Sequence, residues 1–196
     1  MRIDLTYPLS KEKISALSST SDSRDKSLIS FGHMGTHFDT PGKNFILDYC
    51  ECRGVIFDVS NLDERDIELA DIDTEKISAG DFVLFHTGTS ARYEYWSKDY
   101  STNFPQLSWD VIKFLVAKKI HIIGIDARGL RKGTEHPEAD EFCAAADVFI
   151  VENLVNLGKL FDSSGGKNFT VHTYPLNLVG FSGIPCRVIA EIEDRD

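Results

Sequence analysis

The apolar residues of this chain fall in short runs whose period changes along its length. Residues 2–7 alternate polar and apolar positions and stop at Pro8, which predicts a half-buried strand. Residues 53–59 and 82–87 are compact β-branched and aromatic runs of strand length, the second entered through a Gly80-Asp81 turn, and both predict buried strands. From Ser108 to Lys119 the period lengthens: Val111, Ile112, Leu115 and Val116 share one helical face, Ser108 stands as N-cap, and Lys118 and Lys119 close the last turn, where the helix dipole favours cations. This helix feeds a buried strand at 121–126, and a strand-helix-strand rhythm argues for an α/β domain with a mixed sheet. Residues 148–151, 168–174 and 187–192 predict further strands, with Gly165-Gly166 as a turn between elements. The stretch 18–27 is Ser-rich and polar, a solvated loop, and 28–31 is a short strand leading out of it.

Composition narrows the picture. With 196 residues and 42% apolar content the chain fits one domain, 1–196, with a sizeable core. A net charge of −10 and the lack of any basic stripe argue against a nucleic-acid partner and against an anionic membrane surface, which leaves a small-molecule partner. No apolar run approaches the roughly eighteen residues of a membrane span, and Asp4 stands where a signal peptide would be apolar, so a cytoplasmic location is expected. Cys50, Cys52, Cys143 and Cys186 make no CxxC pair and no regular framework. Ordinary thiols are expected there, rather than a disulfide scaffold or a soft metal pair at Cys50 and Cys52.

The chemistry concentrates in the string HMGTHFDTPGK that begins at His33. It places two imidazoles and a carboxylate close together, and a two-His, one-carboxylate set leaves coordination positions open for water or substrate. No single regular element gathers all three. On one helix Asp39 would lie about 200° round from His37, and on one strand His33 and His37 would lie about 13 Å apart. The chain must bend between the histidines, and Gly35 is where the backbone can do so. Non-haem Fe(II) oxygenases use a similar set but commonly separate one His from a close His-x-Asp pair, and HExxH peptidases are excluded because no such string occurs.

The pattern HxGTHxDxP, with Gly80 to Gly88, Gly124-Ile-Asp126, Glu152 and Pro185-Cys-Arg187 downstream, resembles the cyclase family of metal-dependent hydrolases, which includes bacterial kynurenine formamidase and isatin hydrolase. The resemblance implies a swivelling β/β/α domain assembled as a homodimer or homotetramer. It also implies a divalent metal, Zn or Mn, held by His33, His37, Asp39 and Glu152, and hydrolysis of an amide, lactam or related carbonyl bond. The alternative is a catalytically degenerate member acting as a metal- or small-molecule-binding oligomer.

The chain departs from the dinuclear formamidases at two places. Lys43 stands where they have a third histidine of the motif, and Asp140 stands at the family's spacing before Glu152, where they have another. These changes suggest one metal plus a lysine: the ammonium of Lys43 between Asp140 and Glu152, stabilising an oxyanion, with Glu152 or Asp140 as general base. A solvent-facing Lys43 is the alternative, and His136 can stand in for the lost ligand only if its loop is remodelled. His86 and His172 are either structural groups or contacts around the site. Phe38, Phe45, Tyr93, Tyr95, Trp96 and Phe181 are candidates for pocket walls or core.

Overall fold

Parallel strands buried on both faces form the centre of the computed structural model, which describes residues 1–10, 13–14, 31–62 and 65–193. The predicted loop at 18–27 and residues 28–30 of the predicted strand lie outside the described residues; Phe31, where that strand would end, is helical together with Gly32. The strands are β1 Arg2–Asp4, β2 His37–Asp39, β3 Glu51–Asp58, β4 Phe82–His86, β5 Ile122–Ile125, β6 Phe149–Glu152, β7 Phe169–Pro175 and β8 Gly183–Ile192. The longer helices are α1 Trp109–Ala117, α2 Glu135–Ala145 and α3 Leu157–Ser164, with single turns at Thr89–Arg92 and Lys98–Thr102.

The sheet order is β1-β8-β2-β6-β5-β4-β3-β7, and β7 also pairs with β8, so the sheet closes on itself with β1 as an added strand. β3, β4, β5 and β6 run parallel to their neighbours in that series, while β2 enters antiparallel between β6 and β8. The result is the mixed α/β fold expected from sequence, its sheet curled into a barrel-like ring.

Alternation along the parallel strands makes two cores. Val83, Phe85, Ile123, Ile125 and Ile150 face Val111, Ile112 and Leu115 of α1 and Ala139 and Cys143 of α2. Phe82, Leu84, Ile122, Phe149 and Val151 join Phe38, Val171, Val188 and, from α3, Leu157 and Leu160. Side chains such as Leu84 and Ile123 are completely buried, each contributing about 1.5–3 kcal/mol relative to exposure. Ser108 caps α1 as expected, its hydroxyl accepting from the Val111 amide at 3.4 Å.

β8 and α2 depart from the patterning. β8 begins at Gly183 rather than 187, because its first residues pair with β2 and the Pro185 carbonyl still accepts from Leu176. α2 carries no apolar stripe: its buried face is Ala139, Cys143 and Ala144, flanked by the half-buried His136 and Asp140. Cys50, Cys52, Cys143 and Cys186 are all free. Among the described residues no helix is long and apolar enough to cross a membrane.

Candidate metal centre

The bend expected between the two histidines is present at Gly35, whose φ is 64°. Both ends of that residue are held. Its amide donates to the Tyr95 hydroxyl at 2.8 Å, and its carbonyl accepts from His37 Nδ1 at 2.9 Å and Asn153 Nδ2 at 3.0 Å. Asn153 is itself fixed by the Tyr100 hydroxyl, which donates to its Oδ1 at 2.7 Å. A carbonyl partner requires the hydrogen on Nδ1, so the His37 lone pair is on Nε2, which faces the acids.

β2 then places the pieces. His37 pairs directly with Glu152 across the β2–β6 ladder, so both side chains leave the same face, and Asp39 follows on that face. α2 covers it, with His136 and Asp140 one turn apart on the same side. Asp39 Oδ1 is 3.4 Å from both His33 Nε2 and His37 Nε2. Glu152 Oε2 is 3.7 Å from His37 Nε2 and its Oε1 is 3.5 Å from His136 Nε2, which is 3.3 Å from Asp140 Oδ2. Gly129, with φ 93°, makes the approach of α2 feasible: a Cβ there would lie 2.4 Å from His136 Nδ1 and 3.1 Å from Glu152 Oε1.

Two groups of donors result, His33 with His37 and Asp39, and His136 with Asp140 and Glu152, the ligand atoms of each within 4.8 Å of one another. His37 Nε2, Asp39 Oδ2, Asp140 Oδ1 and Glu152 Oε1 are buried without hydrogen-bond partners. Buried polar atoms are normally satisfied, and four orphans converging on imidazoles and carboxylates have the chemistry of divalent-cation ligands. The protonation pattern agrees. Burial and the charges of Asp39 and Glu141 push Asp140 up to about 9, and burial with Asp39 and Asp140 raises Glu152 well above the carboxylate range. Asp39 stays low despite its burial because His37 and His33 flank it. Burial lowers His136, favouring the neutral imidazole that ligation needs.

The placement of Lys43 is corrected. Its ammonium is 2.7 Å from Asp147 Oδ1 in an exposed pair, not between Asp140 and Glu152. The tight turn after Asp39, in which the Lys43 amide donates to the Thr40 carbonyl at 3.1 Å, carries the side chain away from the acids. His136 stands beside Asp140 and Glu152 in its stead, because its segment is a helix, not a loop. His86 bonds Asp126 Oδ2 at 3.1 Å, and His172 lies between Glu51 and Glu191; neither enters the centre. Phe38 and Phe45 pack on Phe149 in the core. Neither Cys50 nor Cys52 joins a ligand group among the described residues.

A cavity of about 250 Å³ opens onto His33, Asp39, His136 and Asp140. A larger cavity, about 610 Å³, is a neighbour walled by Lys43, Val179 and Phe181, with no metal-ligating side chain in its lining; Ser182 lines both. Tyr95, a candidate pocket wall from sequence, instead holds the Gly35 amide, and the support from Tyr100 and Asn153 escaped sequence inspection.

Comparison with known proteins places this geometry. A family profile described as "Putative cyclase" matches residues 3–130. Cyclase-like protein 3 of Arabidopsis thaliana is 30% identical over 175 residues, covering 80% of this chain and 61% of that protein, and Cyclase-like protein 1 of the same plant is 28% identical with coverage of 80% and 65%. The chain thus spans under two thirds of the length of these relatives. Among solved structures, one described as a potential metal-dependent hydrolase with cyclase activity aligns with a TM-score of 0.72 at 24% identity, covering 100% of this chain and 99% of that one. Isatin hydrolase A from Ralstonia solanacearum aligns with a TM-score of 0.75 at 19% identity, covering 98% and 92%. At these identities the structural matches speak for the fold.

Proposed function

The chain belongs to the cyclase family, and from that membership we propose that it is a metal-dependent hydrolase cleaving an amide, lactam or related carbonyl bond of a small molecule. The observation that carries the reading is the convergence of four unpartnered buried ligand atoms on His33, His37, Asp39, His136, Asp140 and Glu152. The names of the structural neighbours, two of which are isatin hydrolases, support the same class of reaction.

His33, His37 and Asp39 would hold one divalent ion, Zn or Mn by their donor types, and His136, Asp140 and Glu152 a second. A single ion was expected because Lys43 was assigned the second place. With Lys43 paired to Asp147, that ground is gone, and two ions fit the donor set better. When bound, such a cation polarises the scissile carbonyl and acidifies water. The protein's own part is to hold Nε2 of His37 towards the centre through the Gly35 carbonyl, and to move a proton. Asp140 lines the cavity whereas Glu152 lies deeper behind it, so with the ion held through one oxygen of Asp140, its other oxygen would make the transfer. As the water oxygen bonds to the carbonyl carbon, the proton it loses passes to Asp140 and then to the leaving nitrogen when the C–N bond breaks.

Metal content and turnover test this together. The purified protein titrated with Zn or Mn should saturate at two ions per chain, His136→Ala at one. His37→Ala should lose the tighter ion and at least about a hundredfold in turnover of a formamide and lactam panel, as when a catalytic ligand is removed. Tight metal binding without turnover of any amide, lactam or ester would leave the degenerate, binding-only alternative standing.

A further inference from the structure

Beside the metal centre lies a second cavity of about 320 Å³, lined by Ser101, Phe104, Arg128, Arg131, Lys132, Gly133, His136 and Pro137. It shares the His136-Pro137 wall with the cavity over Asp39 and Asp140. Three cations and no carboxylate line it, in a chain whose net charge is −10.

The cations differ in what they already do. Arg131 is committed to the fold: it bonds Asp66 at 2.7 Å, Glu135 at 2.6 Å and the Leu107 carbonyl at 3.0 Å. Arg128 makes no hydrogen bond or ion pair among the described residues, and its guanidinium sits 4.9 Å above the Trp96 ring. Stacking on a ring face leaves the in-plane N–H donors free. Trp96 is itself held at φ 70°, an unfavourable backbone conformation for a bulky residue, and it keeps its ring partly exposed beneath Arg128. Arg128 directly precedes Gly129, where a Cβ would meet His136 and Glu152, and its charge acts on both of those groups.

We propose that Arg128 is a specificity residue that binds a carboxylate of the substrate, so that the carbonyl compound cleaved at the metal centre is an anion. A planar guanidinium with free in-plane donors matches a carboxylate in a bidentate pair, which a lysine would not reproduce. This assignment of substrate class rests on the hydrolase reading above. The carbonyl would lie in the cavity over Asp39 and Asp140 and the carboxylate across the His136-Pro137 wall, beside Arg128 and the Trp96 ring.

The experiment compares an aryl formamide carrying a ring carboxylate with its methyl ester, using metal-loaded wild type, Arg128→Met and Arg128→Lys, and measures benzoate binding to the same proteins by calorimetry. Wild type should prefer the anion, and Arg128→Met should lower that preference about 10- to 100-fold, the range for losing a charge-assisted hydrogen bond, with Arg128→Lys in between. An equal loss for anion and ester would mean that Arg128 acts on the acidic cluster and would overturn the proposal, as would an unchanged preference. Should neither compound be hydrolysed, the hydrolase reading fails and benzoate decides the pocket alone. Binding weakened about tenfold or more by Arg128→Met upholds an anion site there; binding that ignores the substitution, or is absent from wild type, overturns it.

Discussion

At the scale of residues, the centre is a cluster of acids held in a state they would not adopt in water. Asp39, Asp140 and Glu152 crowd together under α2, and burial with mutual repulsion pushes Asp140 from 3.8 to about 9. A group raised in this way keeps its proton across neutral pH in the metal-free protein, and a carboxylate must give up that proton to ligate. Cation binding below pH about 9 should therefore release protons, and apparent affinity should rise with pH by up to about tenfold per unit for each proton released. Zn titrations in buffers of different ionisation enthalpy count those protons directly. Asp140→Asn should remove part of the release, and an affinity flat with pH would show that Asp140 is not a ligand. Lys43 illustrates how little residue type says without direction: a cation two positions beyond Pro41 ends up in an exposed pair with Asp147, the kind of contact worth at most about 1 kcal/mol.

At the scale of elements, the site is a joint between a very short strand and a helix. β2 has three residues, too few to show alternation, and it exists because β6 and β8 pair with it from both sides. α2 shows no apolar face because the face it turns inward is made of His136, Asp140 and small residues; periodic hydrophobicity detects helices that cover a core, not helices that cover a polar cluster. The spacing of α2 from β6 depends on Gly129. Gly129→Ala would place a methyl group 2.4 Å from His136 Nδ1 at a φ of 93°. The variant should lose about 1–2 kcal/mol from backbone strain and should bind one ion in place of two, which denaturant melts and metal titration would show. Unchanged binding of the second ion would mean that α2 can shift without cost.

At the scale of the whole molecule, the donors come from three stretches, His33 to Asp39, His136 with Asp140, and Glu152, so a cation in the proposed second group would tie α2 to β6. Each ion that binds only the folded chain at a hundred times its dissociation constant should add about 2.7 kcal/mol, or roughly 5–10 °C in melting temperature for a chain of this size, and EDTA should reverse the gain. A melting temperature indifferent to Zn and Mn would mean that neither donor group holds a cation in the folded chain. The buried strands, the Ser108 cap and helix α1, the bend at Gly35 and the gathering of His33, His37 and Asp39 were all legible from the chain, because each rests on local chemistry: period, capping and a compact motif. Three features were decided only by tertiary structure. The sheet closes because β7 meets β8. His136 displaces Lys43 as partner of Asp140 and Glu152. Among the described residues Arg128 has no hydrogen-bond or ion-pair partner, while Arg131 is consumed by Asp66 and Glu135. In each case the outcome depends on which groups distant in sequence are brought within a few ångströms, and on which way a turn points a side chain. Neither quantity is encoded in the spacing of residues along the chain.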